Sequence, residues 1–327
     1  MRRIGASLLL ACLAAAGQAG INEPLEEYRR VRELAGAVRI EGSPTVCALL
    51  LELRRGLRDM YPGLTVEITA TGSSGAPEAL LEGRCDLAAL SRPMTDKEIA
   101  TFQKKYGYEP ERYTIARDAI VVLANMHNPI VAAEDPPLPG LTLRQLDSIF
   151  SVDRKRGGDR ITTWGDVGLT GEWAGRAILM AGVGATSGST ASFWSRVLLE
   201  GKFRSTVVVQ PGPGAVVNGV GAFKEALGIV SLEYRSKRTR PVPLAETDAG
   251  PFALPTLQNC LEGKYPLVRD LYLYVNRKPG TPLPDLLRET LVYISSEDGQ
   301  NVVVADGLVP IDLETSTDNL KRARATK

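Results

Sequence analysis

Three stretches of this chain place glycine, serine and threonine where a helix begins: Gly42-Ser43-Pro44-Thr45, Thr71-Gly72-Ser73-Ser74-Gly75 and Gly188-Ser189-Thr190. The first turn of a helix presents amide hydrogens with no intrahelical acceptor, together with the positive end of the helix dipole, so such loops are suited to anions. Glycine lets the backbone come close to a ligand, and each hydroxyl adds a donor without bulk or fixed charge. Three loops of this kind turned on one point would hold a tetrahedral oxyanion mainly by dipoles. One alone is ordinary capping chemistry. Its recurrence in one context gives the pattern weight, because open α/β sheets gather their loops at the carboxyl ends of the strands, where ligands bind.

The elements that position these loops follow from periodicity. Val38-Arg39-Ile40 reads as a short strand, and Val46, Leu49, Leu50, Leu53 and Leu57 share one face at helical spacing. Leu64, Val66 and Ile68 alternate as a second strand, and Pro77 to Leu81 opens a helix with proline in its first turn. Asp86 to Leu90 is a buried strand; Ala177 to Met180 is another, followed by a helix over Ala191 to Leu199. Strands alternating with helices predict α/β lobes with largely parallel sheets. Residues 21–36 are charged and helix-prone, a surface segment or spacer before an organised domain that starts near Ala37. Pro136 to Gly140 is a stiff connection, Arg154-Lys155-Arg156 a solvated loop, and the basic run Lys321 to Lys327 a loose tail.

Bulk properties narrow the function. Met1-Arg2-Arg3 followed by an apolar run to Ala16 and by Gly17-Gln18-Ala19 reads as a secretory leader over residues 1–19; lipoprotein processing at Cys12 ranks below cleavage near Ala19. The leader carries two of the 39 basic residues and none of the 38 acidic ones, so the remainder is nearly neutral. Neither nucleic acid nor a lipid surface is an expected partner. Cys47, Cys85 and Cys260 are too widely spaced for a metal or redox motif; Cys47 and Cys85 either pair or stay small buried thiols. No cofactor is expected. The sole histidine, His127, lies beside Asn128-Pro129 in an expected hinge, and neither Ser73 nor Ser189 sits in a nucleophile-elbow or Ser-x-x-Lys motif. A serine-dependent hydrolase is therefore the lesser alternative to a binding protein.

These loops resemble those of the phosphate-binding proteins of bacterial phosphate ABC transporters. Gly42 to Thr45 matches that family's first hydroxyl loop and Thr71 to Gly75 its second. Ser91-Arg92-Pro93-Met94 follows a strand as in many members, and Gly188-Ser189-Thr190 precedes the aromatic pair Phe193-Trp194. Ala226 to Tyr234, Tyr265 to Gly280 and Gly299-Gln300 to Pro310 resemble its later segments, so the likeness covers about residues 38–312. It implies a two-lobed periplasmic-binding-protein-like α/β fold, each lobe a mixed, mainly parallel sheet flanked by helices, joined by a two-strand hinge. Lobe I would comprise residues 37–124 and 268–315, lobe II residues 125–267, and residues 316–327 a basic tail. The implied function is capture of an oxyanion, phosphate foremost, by an exported monomer that delivers it to an ABC transporter permease in the inner membrane. Other oxyanions such as sulfate or molybdate, or a sensing or adhesion role without a permease, remain alternatives.

The resemblance implies Thr45, Ser73, Ser189 and Thr190 as hydroxyl donors and Val46 and Ser189 as amide donors; Ser43, Ser74, Ser91, Arg92 and Gly188 complete the candidate set. Two departures matter. Gly184 stands where members often carry an arginine, so Arg92 is either the replacement cation or part of a structural ion pair. Ser91 stands where better-known members place an aspartate that accepts the proton of phosphate, which weakens the exclusion of sulfate. Glu41, Glu78 and Asp118 are the acids that could substitute, each otherwise a surface or helix-terminus acid.

Overall fold

The computed structural model describes residues 24–132, 138–184 and 187–326. The leader, Cys12 and the first two residues of the Pro136 to Gly140 connection lie outside the described residues. The chain divides into two compact units. One holds the described residues up to Thr71, then Gly75–Arg117 and Leu271–Lys327; the other holds Asp118–Asp270, with Gly72–Ser74 grouped with it. The backbone therefore changes unit within two strands, between Arg117 and Asp118 and between Asp270 and Leu271.

In the first unit, β1 (Ala35–Gly42) leads to α1 (Pro44–Met60), β2 (Gly63–Thr69) to α2 (Ala76–Glu82), and β3 (Leu87–Leu90) to α3 (Asp96–Tyr106) before the long β4 (Glu111–Asn125). β1 runs parallel to β2, with Ala35 opposite Gly63, and parallel to β3, with Ile40 opposite Leu87. All three strands thus end on the same side, and their following loops are neighbours. Proline in the first turn of α1 costs no hydrogen bond there, and Val46, Leu49, Leu50, Leu53 and Leu57 are all buried as their spacing predicts.

The second unit continues with α4 (Pro129–Ala132), β5 (Leu141–Thr142), α5 (Leu143–Phe150), β6 (Leu179–Val183), α6 (Gly188–Arg196), β7 (Val207–Gln210), α7 (Pro213–Ala222), β8 (Ala226–Ser231), β9 (Thr239–Pro241), β10 (Leu244–Ala245) and α8 (Leu257–Leu261). β6 is parallel to both β7 and β8, whereas β4 is antiparallel to β8 and β9. Phe150 and Phe193 meet edge to face at 5.2 Å in its interior. The chain returns to the first unit through β11 (Val268–Val275), antiparallel to β3, and ends in α9 (Asp285–Ser295), α10 (Glu297–Ala305) and α11 (Leu313–Ala323). Alternation along β11 serves both faces of that sheet. Leu271, Leu273 and Val275 join the cluster around α1 and α9, while Tyr272 and Tyr274 join the cluster under α2 and α3.

Several sequence expectations need correction. Residues 24–34 form no helix and are no free spacer: Leu25 and Leu34 are buried, the Glu26 carbonyl accepts from the Glu297 amide, and the Tyr28 hydroxyl donates to Glu289 at 2.9 Å. Residues 316–326 are no loose tail, because α11 buries Ser316, Asn319, Leu320 and Ala323 on one face, and Asn319 donates to the Thr114 carbonyl at 2.7 Å. His127 is exposed in the turn after β4, nine residues beyond the unit boundary at Asp118. Trp194, read as packing, is 38% exposed, whereas Phe193, Tyr265, Tyr272 and Tyr274 are buried.

Cys47, Cys85 and Cys260 are free, buried thiols. Burial pushes Cys47 and Cys260 up to about 11 and Cys85 up to about 12, so none forms appreciable thiolate at neutral pH. Ellman's reagent at pH 8 is expected to label the native mature protein over hours and the guanidinium-unfolded protein within a minute, with three thiols per chain. A count of one would show instead that two of the three cysteines are bridged.

Candidate functional site

A side chain that accepts from the first-turn amides caps most helices ending in buried surroundings. Here Thr95 caps α3, Thr142 caps α5, Thr256 caps α8, Ser296 caps α10 and Asp312 caps α11. The helices α1 and α6 differ. Ser43 and Ser187 occupy their N-cap positions, yet neither hydroxyl caps its helix, and neither helix has an acid in its first turn. Both keep the positive end of the dipole uncompensated by side chains. α7 is also uncapped, but Gly212 at its N-cap brings no hydroxyl.

In the first unit the Ser43 hydroxyl donates to the Ser91 hydroxyl at 3.0 Å, with both side chains buried. The Ser43 amide donates to the Ala89 carbonyl at 2.8 Å, which ties the loop after β1 to the end of β3. Gly42 makes this approach possible: its φ is 150°, and a Cβ there would lie 1.9 Å from the Ala89 oxygen. Thr45 and Val46 follow in the first turn of α1, and both are buried. The structure thus brings Ser43 and Ser91 together beside Thr45 and Val46.

Arg92 is engaged elsewhere in the same unit. Its guanidinium forks onto Glu98 at 2.8 and 2.9 Å and donates to the Pro93 carbonyl. Glu98 is also the reciprocal partner in the Thr95 capping box of α3. Burial alone would raise the Glu98 carboxyl, but the Arg92 guanidinium and the Thr95 amide hold it below the ordinary carboxylate value. In the second loop Ser73 is buried at 1% exposure, whereas Ser74 is exposed.

In the second unit Gly188, Ser189 and Thr190 form the buried first turn of α6. The hydroxyls of Ser187 and Ser189 are 2.9 Å apart. Thr190 donates to the Val183 carbonyl at 2.8 Å, so its hydroxyl hydrogen fastens the helix to the end of β6. Ser187 is not among the candidate residues that the sequence singles out. Its signal was position, since it precedes the Gly-Ser-Thr triplet where an N-cap must fall. Of the three acids considered, Glu41 pairs with Arg84 and Glu78 lies exposed in the first turn of α2. Asp118, expected at a surface or helix terminus, is instead fully buried within β4. It accepts from the Arg269 guanidinium at 2.7 and 2.9 Å and from the Ser231 hydroxyl at 2.5 Å.

Among the described residues no group of His, Cys, Asp and Glu could hold a metal ion. No described helix is long and apolar enough to cross a membrane.

The chain is similar to known proteins over most of its length. Residues 25–298 match the model of a PBP superfamily domain. A phosphate-binding protein PstS from Pseudomonas aeruginosa is 36% identical over 309 residues, covering 94% of this chain and 93% of its own. A PstS from Staphylococcus haemolyticus is 24% identical over 97% of this chain. Among solved structures, a candidate phosphate ABC transporter substrate-binding protein from Clostridium perfringens with bound phosphate aligns over 85% of this chain and all of its own, with a TM-score of 0.68 at 21% identity. An ABC-type phosphate transport receptor from Vibrio cholerae aligns over 84% of this chain, with a TM-score of 0.65 at 21% identity.

Two outcomes follow from the local geometry. Gly42→Ala forces the Ser43 loop off β3 and is expected to destabilise the protein by about 2–4 kcal/mol in urea unfolding; a change under 0.5 kcal/mol would contradict the close approach. Arg92→Ala removes the guanidinium that holds Glu98 ionised. The pair's stabilisation, about 1 kcal/mol, is present above the unfolded carboxylate value and fades as pH falls through the lower folded value. Urea midpoints of wild type and variant should therefore differ at pH 7 and converge near pH 3.

Proposed function

Because the chain belongs to the PBP superfamily and, within it, to the family of the PstS proteins, we propose that it is an extracytoplasmic carrier that captures inorganic phosphate and presents it to an ABC transporter permease. The observation that carries this reading is the pair of helices, α1 and α6, whose first turns have no side-chain cap and no acid but do have hydroxyls. Amides left in this state favour an anion, and tetrahedral geometry suits several donors arriving from different loops.

In this reading the first turn of α1 supplies the Thr45 hydroxyl and the Thr45 and Val46 amides, and the α6 turn supplies the Ser189 hydroxyl and amide. The Ser43–Ser91 pair, Ser73, Ser74 and Gly188 belong to the same donor set. Thr190 acts mainly through its amide, since its hydroxyl hydrogen goes to Val183. Arg92 acts by fixing the start of α3, since its fork is on Glu98. β4 and β11, the two strands in which the chain changes unit, act as the hinge. Each hydrogen bond to a charged ligand contributes about 1.5–3 kcal/mol, and micromolar affinity needs about 8 kcal/mol net, so a handful of donors suffices without a guanidinium on the ion. Residues 1–19 direct export, and the mature monomer works in the periplasm without a cofactor.

Ser91 also sets the selectivity. A hydroxyl accepts the proton of hydrogen phosphate but does not repel sulfate as a carboxylate would, so discrimination between the two ions is modest. Calorimetry of desalted mature protein is expected to show phosphate and arsenate binding at one ion per chain, with sulfate weaker by about 10- to 100-fold, the equivalent of about one or two lost hydrogen bonds. Ser73→Ala combined with Ser189→Ala should abolish the heat while leaving the unfolding midpoint within a few degrees of wild type. Equal heats for phosphate and sulfate would defeat the phosphate assignment; unchanged heats in the double variant would defeat the site.

A further inference from the structure

The second unit contains a cavity that the proposed oxyanion chemistry does not use. It encloses about 520 Å³ between β6, the edge strand β7 and the end of α7, a volume in the range of small-molecule sites. Its wall is apolar, with Ile149, Ile178, Met180 and Ala226 within it and Leu179, Val208 and Phe223 at the rim. These rim residues are 43%, 55% and 57% exposed, an unusual state for neighbouring large apolar side chains.

Among the described residues the same wall holds two guanidinium groups, Arg160 and Arg204, and no carboxylate. Arg204 is only 6% exposed. Three of its five hydrogens go to the carbonyls of Ser148, Ser151 and Ile161, and among the described residues the other two meet no acceptor. Burial, followed by the positive charges of Arg160 and Arg154, pulls its proton affinity down, and no acid offsets them. Arg160 is exposed and makes no ion pair among the described residues. Of the acids that adjoin wall residues in sequence, Glu225 is already paired with Arg176 at 2.6 Å and Asp159 is exposed to solvent. A buried cation normally has a counter-charge, because the alternative costs several kcal/mol. Here the complement to an apolar chamber with two unneutralised guanidiniums is an anion that has an apolar body.

We propose that this cavity is a second ligand site, for a small amphipathic carboxylate whose carboxyl group meets Arg160 and Arg204 and whose hydrocarbon part lies against Met180, Ile178 and Phe223. The site belongs wholly to the second unit and does not depend on the phosphate reading. Inorganic phosphate fits it poorly, since phosphate offers nothing to the apolar wall. A carboxylate with a hydrocarbon chain satisfies both halves of the chamber at once.

The test uses the mature full-length protein labelled with ¹³C at the methionine methyl groups, with the Met180 signal assigned through Met180→Leu. Sodium octanoate should shift the Met180 signal saturably, octanol should bind at least tenfold more weakly, and saturating phosphate should not displace octanoate. Arg160→Gln removes a guanidinium that holds no structural partner and should weaken octanoate about tenfold, the equivalent of one charged hydrogen bond, while leaving octanol unchanged. Val208→Asp, at the exposed rim, should abolish octanoate binding without altering the fold. No shift at Met180, equal affinity for octanoate and octanol, displacement by phosphate, or octanoate affinity unaffected by both variants would each overturn the proposal.

Discussion

An amide hydrogen in the first turn of a helix has no partner inside that helix, and the helices of this protein meet that constraint in different ways. Where threonine, serine or aspartate caps the turn, as in α3, α5, α8, α10 and α11, the helix end is finished and electrostatically quiet. α1 and α6 have cap residues of suitable type whose hydroxyls are turned sideways, Ser43 to Ser91 and Ser187 to Ser189. The hydroxyl pairs keep their own polar atoms satisfied while leaving the amides for something else. Gly42 supports the arrangement from below, because only a residue without Cβ lets β1 approach β3 closely enough for Ser43 to reach Ser91.

Charge placement follows the same logic. The most buried ion pair among the described residues, Asp118 with Arg269, lies within the scaffold. Asp118 and Arg269, almost wholly buried, lock β4 to β11 next to the points where the chain changes unit, and Ser231 supplies a further donor to the carboxylate. Such a pair costs desolvation of both ions and is retained only with good geometry, which the two short contacts provide. Arg92 and Glu98 play a smaller version of this part at the start of α3. Fixed charges thus hold the framework, and the proposed phosphate donors are neutral.

Much of this was legible along the chain. The strand-loop-helix repeats were readable because apolar residues recur with period two or 3.6, and because Pro44 and Pro77 mark helix starts. The three hydroxyl loops were readable for the same reason. Pairings between distant residues were not. Nothing local to Asp118 names Arg269 as its partner, and its position inside the apolar run of β4 was the only sign that it is buried. The choice of Arg92 between ligand and Glu98 is likewise a matter of geometry. The C-terminal helix was hidden by its composition: Ser316, Asn319, Leu320 and Ala323 have helical spacing, but two are polar and basic residues surround them, so the buried face resembles a solvated tail.

The two ends of the described chain are joined. Glu26 and Arg324 form a two-pronged ion pair, so the backbone starts and finishes at one place on the first unit. Apart from the short Gly72–Ser74 stretch, the second unit is consequently a single unbroken excursion between two neighbouring strands, with one way out and one way back. A gene with this layout can exchange its whole middle portion by recombination at two points, leaving the terminal framework untouched while the replaced half brings different chemistry.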